Sequence, residues 1–343
     1  MWAMRTLLLL TMLVQASGHH ETASQIPETE LKFVRDGLQF AATLFLPSND
    51  SGPFPAIAFT HGSAKEHRRL PGYRGLAQAL AGEGLAVLLF DKRGVGDSEG
   101  DYEETPYMET AAGDLLAAVD LLIGHPDIDA SRVGVFGHSQ GAWIAPLAAS
   151  MDRRVAFVVA ISGGGVQILE QVIFQQHQEL LGGGKSGEDA AKAAEIARIV
   201  FPYYATGEGL DAAKAALTLA RREPWADLLE NFWIYKALPS PEQLQTPTFE
   251  FFRRAKYDPA PNLERVQVPS LLILGAQDVQ TPAIPTVRGW MEGFRGKRTR
   301  LLTVHMFGHE GHALWQMADG GPKMRRSFWE PLKTWLEHEV FSP

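Results

Sequence analysis

The chain has 343 residues, 45% of them hydrophobic, enough to bury a large core in one domain or in one domain carrying an insertion. Its net charge is −8 and no basic stretch alternates with aromatics, so the electrostatic footprint of a nucleic-acid binder is missing. It has no cysteine, which excludes disulfides, zinc–thiolate sites, iron–sulfur clusters and cysteine nucleophiles, and suits passage through an oxidising space.

The first segment holds Arg5, then the apolar run 7–14, then the small residues Ala16, Ser17 and Gly18. That order reads as a secretory signal peptide over 1–18, cut after Ala16 or Gly18 and directing the protein to a periplasm or to the exterior. A buried N-terminal helix is the competing reading. The run is too short to span a bilayer comfortably and no long apolar segment follows, so no stable membrane insertion is expected. Residues 31–46 alternate apolar and polar around Asp36-Gly37 and predict an antiparallel hairpin. The apolar run 55–60 predicts a buried strand ending at His61-Gly62. A helix is expected over 73–82, a strand over 85–90, and an amphipathic helix over 110–123 stopped by Gly124 and Pro126.

Residues 132–136 form a strand pattern that runs into Gly137, and 140–150 is helical in pattern. A strand over 155–161 ends at Ser162-Gly163-Gly164-Gly165. Later elements are a strand over 270–275, a helix over 282–294, a strand over 300–306 and a final helix over 325–340. Strands alternating with helices predict the α/β class, a mostly parallel sheet covered on both faces. Between 166 and 261 no strand pattern occurs. That stretch has Ala-rich helical segments (190–199 and 210–220) and aromatics at Trp225, Phe232, Trp233, Tyr235, Phe249, Phe251 and Phe252. A structureless loop of that length is rare in a compact domain, so a helical insertion is expected. The expected organisation is a core over 28–165 and 262–343 with an insertion over 166–261.

Gly137-His138-Ser139-Gln140-Gly141 sits between a buried strand and a helix. A Gly-X-Ser-X-Gly pentapeptide alone says little, but this setting is the one a nucleophilic serine needs. A tight strained turn lifts the hydroxyl above the sheet, and the glycines leave room for the backbone around it. The Gln140 N–H, at the helix start, points where negative charge develops.

The sequence resembles the α/β-hydrolase superfamily, in particular its esterase and serine-aminopeptidase-like branch. The residues carrying the resemblance are Thr60-His61-Gly62-Ser63, the Asp91-Lys92-Arg93-Gly94 turn with Gly96, Asp97 and Ser98, the pentapeptide, Gly275-Ala276-Gln277-Asp278 and the segment 308–314. They fall in the family's order across 31–341, and the helical insertion lies where the family places its lid, after the sixth strand. The resemblance implies a Ser-His-Asp triad. The base belongs on the loop after the last strand, where His309 and His312 both stand. His312, followed by Ala313-Leu314, fits the pattern better, and His309 leaves almost no turn. The acid position after the seventh strand holds Asp278, while the alternative position after the sixth holds Ser162 and glycines. The second oxyanion donor is expected from Ser63, with Ala64 as its neighbour in register. His61 is expected to hold its loop, His305 to pack in a strand and Asp258 to cap a turn. The Asp91 turn is expected to shape the loop beside the site.

These residues predict a serine hydrolase that cleaves small-molecule carboxylic esters through an acyl-enzyme, with no cofactor motif and no metal site. A serine aminopeptidase is the close alternative. It needs a carboxylate for a free α-amine, and Glu170, Glu179 or Glu230 is available in the insertion. Thioesterase and cofactor-free haloperoxidase chemistry use the same triad, and a binding module of this fold without catalysis is the non-enzymatic reading.

Overall fold

The computed structural model describes residues 26–48, 51–103, 106–223, 225–226, 238–313, 315–318 and 321–342. The segment 1–18, Glu230, Phe232, Trp233, Tyr235 and Leu314 lie outside the described residues.

The alternating hairpin segment and the apolar runs give eight strands of one sheet: β1 (Glu28–Arg35), β2 (Leu38–Phe45), β3 (Phe54–Thr60), β4 (Ala86–Phe90), β5 (Ile128–His138), β6 (Val158–Ile161), β7 (Ser270–Gly275) and β8 (Leu302–Phe307). They form one sheet in the order β1-β2-β4-β3-β5-β6-β7-β8. The β1–β2 hairpin turns at Asp36-Gly37, both at positive φ, and β2 pairs antiparallel with β4. Every other pairing is parallel. The inner strands β3, β4, β6 and β7 are buried on both faces, which is why they read as unbroken apolar runs. Their side chains alternate between two cores. Ala56, Ala58, Leu88 and Leu272 enter one core, while Ile57, Phe59, Leu89 and Ile273 enter the other.

The first core is closed by α2 (Met108–Ile123), α3 (Gly141–Met151) and α9 (Ala283–Gly293). The second is closed by α1 (Pro71–Gly82) and α10 (Arg326–Leu336). α1 begins at Pro71, earlier than the expected 73, because proline is preorganised for the first helical turn. The final helix is shorter than expected: α10 stops at Leu336 and a π turn covers Glu337–Phe341. A hairpin of β9 (Trp315–Ala318) and β10 (Gly321–Met324), unforeseen in the sequence, lies against α1.

Between β6 and β7 stand α4 (Ile168–Gly182), α5 (Gly187–Thr206), α6 (Leu210–Ala220), α7 (Glu250–Ala255) and α8 (Ala260–Leu263). α5 starts at a capping box in which Ser186 and Asp189 satisfy each other's backbone N–H groups, and it ends at Gly207 with φ +81°. Most of these helices share a core of their own, including Phe201, Tyr203, Tyr204, Trp225 and Phe252. They meet the β-sheet unit through α8, whose Leu263 is buried in the first core, and through α7. Glu250 accepts from the Tyr107 hydroxyl at 2.6 Å, and Arg254 stacks over the Tyr107 ring at 4.4 Å and pairs with Glu103. Asp258 caps the start of α8 by accepting from Ala260 N. Among the described residues no helix is long and apolar enough to cross a membrane.

Candidate active site

β5 ends at His138 and α3 begins at Gly141, so Ser139 and Gln140 must reverse the chain within two residues. Ser139 takes φ +52°, a left-handed conformation that strains a side chain by about 1–2 kcal/mol. The neighbours hold it there. Ser139 N donates to Ile161 O at 2.9 Å, and Ser139 O accepts from Ala142 N at 2.9 Å. A Cβ at Gly137 would strike the Gly141 carbonyl, and one at Gly141 would strike Thr60 O. Both positions therefore need glycine for close approach rather than for flexibility.

The structure brings Ser139, His312 and Asp278 into one hydrogen-bonded line. His312 Nε2 lies 2.9 Å from Ser139 Oγ, and His312 Nδ1 lies 2.8 Å from Asp278 Oδ2. The Asp278 side chain is fully buried, and its other oxygen accepts from the backbone of Gln280 at 2.7 Å and Thr281 at 2.8 Å. The loops bearing the acid and the histidine are joined: Gln277 N donates to Glu310 O, and Gly275 packs so closely on Glu310 and Gly311 that a Cβ would not fit. Ser162, at φ +57° after β6, donates its hydroxyl to the His312 carbonyl at 3.1 Å, while Thr281 Oγ1 donates to Ser162 O. The position after the sixth strand, empty of carboxylate, thus supports the histidine loop. His309 sits exposed on the turn that follows β8, and His305 stacks on Phe307 within β8.

The loop after β3 lies against the serine. A Cβ on Gly62 would come within 3.4 Å of Ser139 Cβ, and Ser63 follows it at the surface. Behind the loop Tyr73 is fully buried. Its hydroxyl donates to Glu66 Oε2 at 2.6 Å and accepts from Gly62 N at 3.2 Å. With its one proton given to Glu66, the Tyr73 oxygen must accept from His138 Nδ1, 2.9 Å away. Burial pushes both His61 and His138 down to about 3, and both therefore stay neutral near pH 7. The rings of His138 and His312 are 5.5 Å apart, so a neutral His138 leaves an imidazolium on His312 unopposed.

Sequence reasoning missed two contributors. Tyr73 reads as an ordinary apolar helix position. Lys92 reads as part of a loop-shaping turn, yet its Nζ donates to Gly62 O at 2.7 Å and to Ala64 O at 2.5 Å. The signal present in the sequence was a lysine at the carboxyl end of a buried strand, where α/β folds place functional groups. Asp91 beside it does shape the turn. It is buried, pairs with the buried Arg68, and accepts from the backbone of Arg68 and Asp97. Of the acidic residues in the insertion, Glu170 pairs with Arg198 and Glu179 accepts from Gln175. Among the described residues no group of three or more His, Asp or Glu side chains is arranged to hold a metal ion.

Residues 36–309 match the family model described as X-Pro dipeptidyl-peptidase (S15 family), a span that includes Ser139 and Asp278 and stops short of His312. Esterase EstD of Thermotoga maritima is 29% identical over 235 residues, which are 67% of this chain and 48% of that protein. Acyl-coenzyme A thioesterase 3 of Mus musculus is 34% identical over 150 residues, 43% of this chain and 32% of that protein. The chain spans about a third to a half of the length of the curated relatives it matches. Among solved structures, the α/β hydrolase GrgF from Penicillium sp. sh18 superposes with a TM-score of 0.57 at 18% identity, over 92% of this chain and 100% of that one. That likeness is one of fold.

Proposed function

The chain belongs to the X-Pro dipeptidyl-peptidase (S15) family of α/β hydrolases, and from that premise we propose that it is a serine hydrolase cleaving carboxylic esters through an acyl-enzyme on Ser139. The observation that carries the reading is the line Asp278–His312–Ser139, with heavy-atom separations of 2.8 and 2.9 Å. In that arrangement His312 Nε2 takes the Ser139 proton as Oγ attacks the carbonyl carbon. The N–H groups of Ser63 and Gln140 hold the oxyanion. His312 then returns the proton to the leaving oxygen, and a water activated by the same nitrogen releases the acid. Asp278 orients the histidine and stabilises the imidazolium.

Esters are favoured over peptides by the state of two carboxylates: an aminopeptidase needs an acidic side chain turned to a free α-amine, and among the described residues of the insertion Glu170 is already engaged by Arg198 and Glu179 by Gln175. The cleft beside Gln140 has an apolar wall of Phe90, Pro106 and Ile144, suited to an uncharged acyl or alcohol group, and a charged side formed by Lys92, Arg93, Asp101, Glu103 and Asp114. The helices between β6 and β7 act in this reading as a lid, anchored near the cleft through Tyr107 and Glu250. Because the mouse relative is named for thioester chemistry, acyl-coenzyme A belongs in the test. A panel of p-nitrophenyl esters, aminoacyl anilides (X-Pro included) and acyl-coenzyme A is expected to give its highest kcat/KM with an ester of short or moderate acyl length. A higher value for an anilide would replace the reading with a peptidase, and a flat panel would favour a binding module. Export is part of the same proposal and rests on residues 1–18. The secreted protein is expected to begin after Ala16 or Gly18, and an N-terminal sequence starting at Met1 would refute it.

A further inference from the structure

We propose that Lys92 is a positioning residue for the oxyanion site: its ammonium fixes the Gly62–Ser63 peptide so that the Ser63 N–H faces the substrate carbonyl beside Ser139. The inference rests on reading Ser139 as the nucleophile and Ser63 as an oxyanion donor.

Lys92 leaves the sheet at the carboxyl end of β4, next to β3, from which the 61–64 loop departs. Its Nζ reaches Gly62 O at 2.7 Å and Ala64 O at 2.5 Å. The Gly62 carbonyl and the Ser63 N–H belong to one planar trans peptide and point in opposite directions. Holding the first therefore aims the second. The peptide on the other side of Gly62 is fixed as well, because the Gly62 N–H donates to Tyr73 OH at 3.2 Å. Gly62 thus has its own N–H engaged behind the loop, and the donor next in line is Ser63. Ala64 adopts φ +61°, a conformation rare for a residue with a Cβ, and its carbonyl returns to the same ammonium. The strained turn and the two carbonyl contacts form one device that closes around Lys92.

An ammonium on the carbonyl also polarises the peptide and makes its N–H a stronger donor. That gain is felt where the oxyanion exists, in the transition state, so it enters kcat more than KM. The groups facing Lys92 come from three sides. Glu66, His61 and Lys65 stand on the 61–67 loop. Asp101, Tyr102 and Glu103 stand on the loop after β4. Asp114 of α2 is there too, already paired with Arg93. Lys92 and Lys65 both lie 5.6 Å from the Tyr102 ring. Burial pushes Lys92 down to about 8 against the pull of Glu66. The cation is present below that pH and lost above it, so the clamp weakens on the alkaline side.

The test measures kcat and KM for p-nitrophenyl acetate from pH 6 to 10 in the wild-type protein, Lys92→Met, Lys92→Arg and Ser139→Ala, with thermal melts of each. Lys92→Met is expected to lower kcat by about 10- to 100-fold at pH 7, less than loss of a whole oxyanion donor, with KM within about threefold. The wild type should lose kcat above pH 8. Lys92→Arg, charged throughout, should recover part of the lost kcat and carry no such limb. A folded Lys92→Met with wild-type kcat overturns the inference, as does a loss confined to KM. If Lys92→Met does not fold, the comparison of wild type with Lys92→Arg decides, and identical alkaline limbs overturn it. Inactive Ser139→Ala beside fully active Lys92→Met refutes this inference alone, whereas wild-type turnover by Ser139→Ala refutes the nucleophile and this inference with it.

Discussion

Ser139→Ala is expected to lower kcat on the best ester by on the order of 10⁶-fold, the scale seen when the nucleophile of a serine triad is removed. The size follows from what Oγ does. It is the atom that His312 Nε2 reaches at 2.9 Å, and without it a water must attack unaided. What survives is the contribution of the oxyanion donors and of binding, roughly 10³–10⁴ over the reaction in water. The fold should be untouched. Ala has the same Cβ as Ser, so the cost of φ +52° is unchanged, and the backbone bonds to Ile161 and Ala142 do not involve the hydroxyl. Melting temperatures should agree within a few degrees. A fluorophosphonate should label the wild-type protein and spare the variant. Activity within about tenfold of wild type, or equal labelling of both, would show that another group attacks.

That such an experiment can be framed from sequence alone has a physical reason. A parallel sheet buries both faces of its strands, and the apolar runs 55–60, 85–90 and 270–275 give β3, β4 and β7 almost to the residue. The turn at Ser139 is local as well, since strand, glycines and helix are contiguous. Asp278 is marked by a turn directly after a strand. What was hidden depends on contacts between distant segments. Lys92 meets Gly62 and Ala64 across 30 and 28 positions, and Tyr73 meets His138 across 65. No periodicity encodes those meetings. The β9–β10 hairpin was hidden for a different reason: its strands have four residues each, and one holds Pro322, which ordinarily argues against a strand. The capping box at Ser186 and Asp189 lies ahead of the Ala-rich run, so the run by itself marks the helix start too late.

His312→Gln is expected to match Ser139→Ala, on the order of 10⁶-fold in kcat, because the two act as one unit. Glutamine can accept the Ser139 hydroxyl hydrogen bond but does not hold the proton. His309→Gln, on the exposed turn after β8, should stay within about threefold of wild type. The reverse result would move the base to His309. Asp278→Asn is the more informative variant. Oδ1 of Asp278 accepts the N–H groups of Gln280 and Thr281, so an asparagine must leave its carbonyl oxygen there. Its NH₂ then faces His312 Nδ1, which becomes an acceptor and sends the ring proton to Nε2, towards Ser139 Oγ. A histidine in that tautomer is a donor where a base is needed, and kcat should fall by about 10⁴-fold with the structure intact. Adding Asp278→Asn to His312→Gln should cost little more, since the acid acts only through the histidine. Multiplication of the two losses in the double variant would show that Asp278 acts on the reaction by another route.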